Sequence, residues 1–508
     1  MRPFKPITWI VFAFLAMALV FPARATQSVT NLITLDQCIQ LALEHNLGLR
    51  IARLNPMISQ YELSASYSIY DPRFEAGYRH TEQTREGDIV GGTLIRPFDL
   101  ERDAYSLGLV GELPTGLTYD MGFTTDRDEQ ALFGFDEFGI ITNSVTSKDY
   151  NTFVGINLRQ PLLDGFWINQ GRAAIKIAKR DVKISENDFT FQIMDVVRGV
   201  QVAYFNLLGS QDFVKVQEKA LQLATQLWEE NKKRVQAGTM APLDEKQAES
   251  EKELARANLI AAERDVLLRE NILKRLITDN FEKWQDTRLE PAEKLLAIPE
   301  TFDRGEAWIN ALEKRPDYAS VKLQLERQGI QVKLRKNQLY PSLDLVGSYG
   351  RSGLDTRFGG SINDIEREDN PTHSYGVVLS VPLFNQSERN RYRSAKEVEK
   401  QLELEMQRVH QEILAGVDDA ITQAQSAFEQ IPARRQAKTY AEQALDAEQK
   451  KYENGKSTSF FVLEFQRDLT SARAEEIRSL ADYNRSLAEF YFSEGTILER
   501  NNILIEKR

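Results

Sequence analysis

IMDVVRGVQVAYFNLLGSQDFVKVQEKALQLATQLW (193–228) is the stretch whose reading decides the fold. Its apolar side chains fall at Ile193, Val197, Val200, Tyr204 and Leu207, and the spacing resumes at Phe213, Val216, Ala220, Leu223 and Leu227. Steps of four and three average about 3.5 residues, the period of a helix held in a seam with other helices. No proline occurs from 169 to 236. One helix can therefore fill that span and reach roughly 100 Å at about 1.5 Å per residue. That length is several times the width of a globular domain, and it reads as a spacer.

A second stretch, 386–453, has the same length and a similar frame. QPLLDG (160–165) leads into the first and VPLFNQ (381–386) into the second, and each ends in a glycine turn, QAGTMAP around Gly238 and ENGKSTS around Gly455. Its seam is marked by Val398, Leu402, Met406, Val409, Ile413, Val417, Ala420, Ala424, Phe428 and Ile431. Steps of four, four and three give about 3.67 residues per turn, which winds a helix only slightly to the right. Pro432 follows, and an interior proline removes a backbone bond, so a straight upper half and a bent lower half are predicted. Ala42-Leu43-Glu44 aligns without gaps on Ala311-Leu312-Glu313, and Pro72 on Pro341; Ala255-Arg256-Ala257 and Gly238 align likewise on Ala472-Arg473-Ala474 and Gly455. A tandem duplication is the reading, and it invites a pseudo-symmetric closed assembly.

The chain opens with Arg2 and Lys5, an apolar run over 7–20 and Ala23-Arg24-Ala25, the three parts of a secretory signal. Residues 1–25 are expected to be removed, leaving a mature chain that starts at Thr26. No later apolar run is long enough for a membrane-spanning helix. Loss of Arg2, Lys5 and Arg24 takes the net charge from −11 to −14, a poor balance for binding nucleic acid. Cys38 is the one cysteine. It excludes an intrachain disulfide and lies too far from the cleavage site to carry a lipid, so it reads as a small apolar side chain.

LDQCIQLALEHN (35–46) starts a helix able to run to about 69, where Asp71-Pro72 stops it. The period then changes to two. Phe74, Ala76, Tyr78 and His80 alternate with smaller or polar residues, as do Leu117, Tyr119, Met121 and Phe123, then Val154, Ile156 and Leu158. Leu343 and Leu345, and Tyr375, Val377, Leu379 and Val381, repeat the pattern downstream. One apolar and one polar face, with aromatics near strand ends, suits a transmembrane barrel with lipid outside and water inside. Inserts this short between helices this long do not suit a soluble sandwich. YSLGLVGELPTGLTYDMGF (105–123) reads as a hairpin turning near Pro114-Thr115-Gly116.

Residues 35–69, 243–277, 304–339 and 457–492 are each about half a long helix. By length, 243–277 and 304–339 stack end to end, as do 457–492 and 35–69. The segment 278–303, with Pro291 and Pro299, and the tail 493–508 are expected to wrap the waist. The organisation is thus 1–25 signal peptide; 26–70 helix; 71–160 strands with the extra hairpin; 161–278 long helix, tip and return helix; 279–303 linker; 304–340 helix; 341–382 strands; 383–492 long helix, tip and return helix; and 493–508 tail.

Catalytic patterns are weak. Gly455-Lys456-Ser457-Thr458 resembles the end of a phosphate loop, but that loop needs a glycine where Lys450 stands, and a strand before it. His45, His80, His373 and His410 are scattered without a second ligand at metal spacing. Asp418 and Asp419 are adjacent on a helix and diverge, so one of them lining a wet, acidic lumen is the simpler reading. No catalytic, cofactor or metal site is predicted.

The signal peptide, the duplication, ALEKRPDYASVKLQLERQGIQVKLRKNQLYPSL (311–343), the VPLF and QPLL lead-ins and the glycine tips resemble the TolC-type outer-membrane efflux family. The resemblance implies a mainly α fold with a membrane β portion. That fold is a homotrimer whose outer-membrane β-barrel continues into a long periplasmic α-barrel. It implies a Gram-negative envelope, contact with outer-membrane lipid, and docking through tips at Gly238 and Gly455 to a periplasmic adaptor and an inner-membrane transporter. It places a periplasmic gate at Tyr452 and Asp244, both matching the family pattern, with the Tyr452 hydroxyl expected on the Asp244 carboxylate. Ser457 departs from the family's basic partner, and of two acidic-ring positions, Phe461 and Glu464, only Glu464 is acidic. The family pattern has two strands per half, whereas 73–160 has room for four. The implied function is a passive exit duct for a tripartite efflux pump or type I secretion system. A structural spacer between membranes, without a conducting role, is the alternative.

Overall fold

The computed structural model describes residues 29–85, 89–90, 93–94, 98–135, 141–367 and 371–504. The expected signal peptide 1–25 and the end of the tail, 505–508, lie outside the described residues.

Strand β1 (Val29–Ile33) leads into helices α1 (Leu35–His45), α2 (Leu47–Ala52) and α3 (Leu54–Ser66). Strand β2 (Arg73–Arg85), a short ladder of β3 (Ile89–Val90) with β4 (Thr93–Leu94), and strands β5 (Phe98–Glu112), β6 (Thr118–Phe135) and β7 (Ile141–Pro161) follow. Long helix α4 (Gln170–Gln236) returns as α5 (Pro242–Ile277). After β8 (Thr287–Pro291) come α6 (Arg304–Lys314), α7 (Pro316–Asn337), β9 (Ser342–Asp355), the short α8 (Phe358–Glu366) and β10 (Pro371–Ser380). The second long helix, α9 (Gln386–Glu453), returns as α10 (Ser459–Glu494), and α11 (Ile497–Arg500) follows.

The α4 seam forms as its period requires. Ile193, Val197, Val200, Tyr204, Leu207 and Leu227 are all buried. Asn169 starts the helix, its side chain accepting from the Arg172 amide at 2.8 Å. Alanines at 248, 255 and 262 on α5 are buried, and their small side chains let α5 lie close along α4. Helix α9 runs through Pro432 without ending there.

Two expected helices are broken. In 35–69 the side chain of Asn46 accepts from the Leu49 amide at 3.0 Å and starts a new helix. Farther on, Pro56 has no N–H for the carbonyl four residues back. In 304–339 Arg315 is extended (φ −73°, ψ 119°), as the residue before Pro316 must be.

The end-to-end stacking also differs from the expectation by length. The Asn46 amide donates to the Leu276 carbonyl at 2.9 Å and Arg50 to Asp279 at 3.3 Å, so α5 abuts α1–α2. Asn310 donates to Glu494 at 2.9 Å and Arg315 to the Ser493 carbonyl at 3.3 Å, so α10 abuts α6–α7. Hydrogen-bonding ends decide the partner, and length is the same for both choices.

At the waist β1 and β8 pair in parallel. Leu289 and Ile497 are buried in the same cluster as Cys38, Val200 and Tyr204, and the Tyr204 hydroxyl donates to the Ile33 carbonyl at 3.2 Å. Burial pushes the Cys38 thiol up to about 12, in keeping with an inert apolar role.

Candidate functional site

The two helix hairpins end in the same turn. At the first, the Gly238 amide donates to the Val235 carbonyl at 2.9 Å and the Thr239 amide to Arg234 at 3.0 Å. At the second, Gly455 donates to Tyr452 at 3.0 Å and Lys456 to Lys451 at 2.8 Å. Gly238 (φ 74°) and Gly455 (φ 69°) are left-handed, the backbone that ends a helix with its last carbonyls satisfied. A Cβ at either would meet nothing within 4 Å. The Gly-Lys-Ser-Thr run is thus a helix-hairpin turn.

Tyr452 is 2 % exposed, packed with Leu227, Leu445, Val462, Leu463 and Leu469. The expected bond from its hydroxyl to the Asp244 carboxylate does not form. The phenol donates instead to Oδ1 of Asn231, which is fully buried, and the Asn231 amide donates to the Asp244 backbone carbonyl at 3.3 Å. Geometry explains the change: Asn231 stands one seam step beyond Leu227, facing Tyr452, whereas the Asp244 side chain accepts from Ser459 Oγ at 3.3 Å. The Arg234 guanidinium lies 4.4 Å over the Tyr452 ring. Burial pushes the Tyr452 phenol up, Arg234 opposes this, and Glu230 and Asp244 add to it.

Ser457, at the family's basic position, donates to Glu448. This bond, and then Lys451 at 2.9 Å, hold the Glu448 carboxyl below its usual range. Phe461 is 47 % exposed and stacks edge-on against Phe460 at 5.7 Å; Glu464 is exposed. Between them Val462 and Leu463 turn inward. A further tie joins α5 to α10: Arg467 Nε donates to Glu251 at 2.9 Å. Sequence reasoning missed Asn231, although a polar residue at a seam position is itself a signal. It also missed Glu251 and Arg467, which lie 216 residues apart and meet only in the fold. Of the other polar candidates, Asp418 pairs with Arg304 at 3.1 Å, Asp419 is exposed, and His410 faces the Tyr318 hydroxyl at 3.4 Å.

At the other end, six strands form one antiparallel sheet in the order β10-β9-β7-β6-β5-β2. The 105–123 hairpin is present as β5 and β6, paired from Glu112↔Thr118 to Glu101↔Glu129. The register puts the alternating apolar residues on one face: Phe74, Leu109, Met121, Ile156 and Tyr349 are cross-strand neighbours in one row. Phe74 (70 %), Tyr349 (64 %), Tyr375 (87 %), Val377 (63 %) and Leu379 (62 %) are exposed there. The opposite face carries Arg73, Glu112, Asp120, Asn157, Arg159 and Ser348 around a groove, with Arg159 paired to Asp344 at 2.6 Å. An apolar exposed face behind a polar hollow one is the pattern of a membrane barrel wall. Among the described residues no helix is long and apolar enough to cross a membrane.

The family model for outer membrane efflux proteins matches residues 38–278 and 309–496. The chain is 25 % identical over 348 residues to the outer membrane efflux protein BepC of Brucella suis, covering 68 % of this chain and 73 % of that protein. It is 26 % identical over 309 residues to the cobalt-zinc-cadmium resistance protein CzcC of Cupriavidus metallidurans, covering 59 % and 68 %. Its fold is similar to the crystal structure of the Campylobacter jejuni CmeC outer membrane channel, with a TM-score of 0.65 and 15 % identity over 91 % of this chain and 86 % of that one. With most of its length matched on either side of the waist linker, the chain belongs to the outer membrane efflux protein family.

Proposed function

We propose that the mature chain is one third of a passive exit duct, a homotrimer whose strands close into an outer-membrane β-barrel and whose helices close into a periplasmic α-barrel. The tandem repeat supplies each subunit with two similar helical hairpins. The observation that carries this reading is the sheet: apolar and exposed on one face, polar and hollow on the other, with the outer edges of β2 and β10 open among the described residues. An open edge is a template for another strand, and closure with neighbouring copies removes it. The helical flank agrees. Leu47, Ile51, Leu54, Ile58 and Tyr61 on α2–α3, and Ile260, Leu268 and Ile272 on α5, are all at least 47 % exposed, an apolar strip that a second copy covers.

The tips at Gly238 and Gly455 dock a periplasmic adaptor, which links the duct to an inner-membrane transporter. The transporter selects the cargo, whether drug, metal ion or secreted polypeptide, and the duct supplies a wide wet path. The gate lies at the tip, with Tyr452 and Asn231 bonded, Asp244 and Ser457 beside them, Phe461 narrowing the lumen and Glu464 favouring cations at the entrance.

Bilayer reconstitution of the purified trimer tests this against the spacer reading. The duct gives single-channel ionic conductance that rises when the tip is loosened. A protein that inserts but never conducts, even with the tip loosened, is a spacer. Recovery as a soluble periplasmic monomer would end both.

A further inference from the structure

We propose that the β5–β6 hairpin is part of the barrel wall, so that three copies of six strands close an eighteen-stranded barrel in place of the twelve that two strands per half would give. This rests on the duct reading above. The hairpin cannot stand beside the barrel without taking the sheet apart. Among the described residues β2 pairs only with β5, from Arg73↔Val110 to Arg85↔Phe98, and β7 reaches β2 only through β6 and β5. The hairpin also carries its share of the outward apolar face, with Leu107 (48 %), Leu109 (41 %) and Met121 (49 %) exposed. An even number of strands leaves β2 and β10 running in opposite directions, so β10 of one copy can pair antiparallel with β2 of the next and close the ring.

A row of glycines bends this wall. Gly108, Gly122, Gly155 and Gly350 are successive cross-strand neighbours on β5, β6, β7 and β9, on the polar face. A Cβ on Gly122 would lie 2.5 Å from the Leu107 carbonyl oxygen, and one on Gly155 2.5 Å from that of Tyr349. A Cβ on Gly350 would strike the Val154 carbonyl, and the Phe153 ring fills the space beside Gly155 and Gly350. Backbones that approach so closely on one face mark a sheet folded toward that face, which only glycine permits. β6, β7 and β9 therefore bend at one level toward the groove, and Gly108, where a Cβ would stand 3.3 Å from the Met121 carbonyl oxygen, continues the row on β5.

The width follows from strand number. With strands about 4.8 Å apart and tilted about 40°, eighteen give a backbone diameter of about 36 Å and twelve about 24 Å. The outer section then has roughly twice the cross-section of the twelve-stranded arrangement.

Cross-sections of the trimer imaged by electron cryomicroscopy in nanodiscs count the strands directly. Eighteen wall strands are expected. Twelve, with 98–135 outside the wall, would overturn the inference and leave the duct intact, whereas absence of any trimeric barrel would sink the duct reading as well. The bend is tested separately by the yield of heat-modifiable trimer. Gly122→Val and Gly155→Val should each lower it by at least about tenfold. Gly347→Val, on the outward face where a Cβ meets nothing closer than 3.7 Å, should leave it within about twofold. Trimer yields of Gly122→Val and Gly155→Val equal to that of Gly347→Val would refute the glycine bend.

Discussion

Tyr452→Phe is the perturbation that weighs the tip most directly. It removes the hydroxyl from Asn231 and changes little else, because the ring stays in its cluster of Leu227, Leu445, Val462 and Leu463. Asn231 is fully buried, so Oδ1 is left without a donor and out of reach of water. An unsatisfied buried acceptor costs about 1–3 kcal/mol. If that cost falls on the closed arrangement, the open-to-closed ratio rises by roughly 5- to 150-fold, at about 1.4 kcal/mol per factor of ten. Asp244→Asn is the control. The Asp244 carboxylate is half-buried and accepts from Ser459, and its charge sits in the first turn of α5, where it contributes about 0.3–1 kcal/mol. Its loss should shift the ratio by no more than about fivefold. The double variant Tyr452→Phe with Asn231→Leu should fall short of the sum of the singles, since removing both partners of a buried bond costs less than removing one. The assay is open-time fraction in single-channel recordings at fixed voltage and salt. If Asp244→Asn opens the channel as much as Tyr452→Phe, the phenol is bonded to the carboxylate and the Asn231 geometry is wrong.

Four further outcomes are expected. Phe461→Ala added to Tyr452→Phe should raise closed-state conductance beyond the single variant, and Glu464→Gln should reduce cation preference; reversal-potential and conductance measurements check both. Glu448 is held below its usual range by Ser457 and Lys451, so its contribution is full above the ordinary carboxylate range and is lost as pH falls through its lowered value. Acid should therefore loosen the tip, and Ser457→Ala should move that loosening to higher pH, read as conductance against pH. Bulky replacements at Gly238 and Gly455 strain a left-handed backbone in open space. They should weaken adaptor binding and efflux while outer-membrane insertion is kept, and unchanged efflux with both replaced by Trp would show that docking lies elsewhere.

How much of this could be read from the chain depends on the range of each interaction. Ile193, Val197, Val200, Tyr204 and Leu207 announce a buried seam, and they are buried, because helical period and burial are local facts written every three or four residues. Phe74, Tyr78, Met121, Val377 and Leu379 announce a strand face in the same way, and Gly238 and Gly455 announce turns because only glycine takes that backbone cheaply. The family pattern added Tyr452 and the position of Ser457. It carried over Asp244 as the phenol's acceptor, and there the tertiary structure decided otherwise.

Which side chain meets Tyr452 depends on how α4 and α9 are rotated against each other. That rotation is fixed by packing along both helices, so Asn231, 221 residues away in sequence, is out of reach of any local rule. The same limit applies to the stacking of α5 on α1–α2 and of α10 on α6–α7. Equal lengths allow either pairing, and the bonds from Asn46 to Leu276 and from Arg315 to Ser493 select one. Periodicity could name each strand of the sheet. The cross-strand row of Gly108, Gly122, Gly155 and Gly350 depends on register, and register is a long-range property that exists only once the strands have paired.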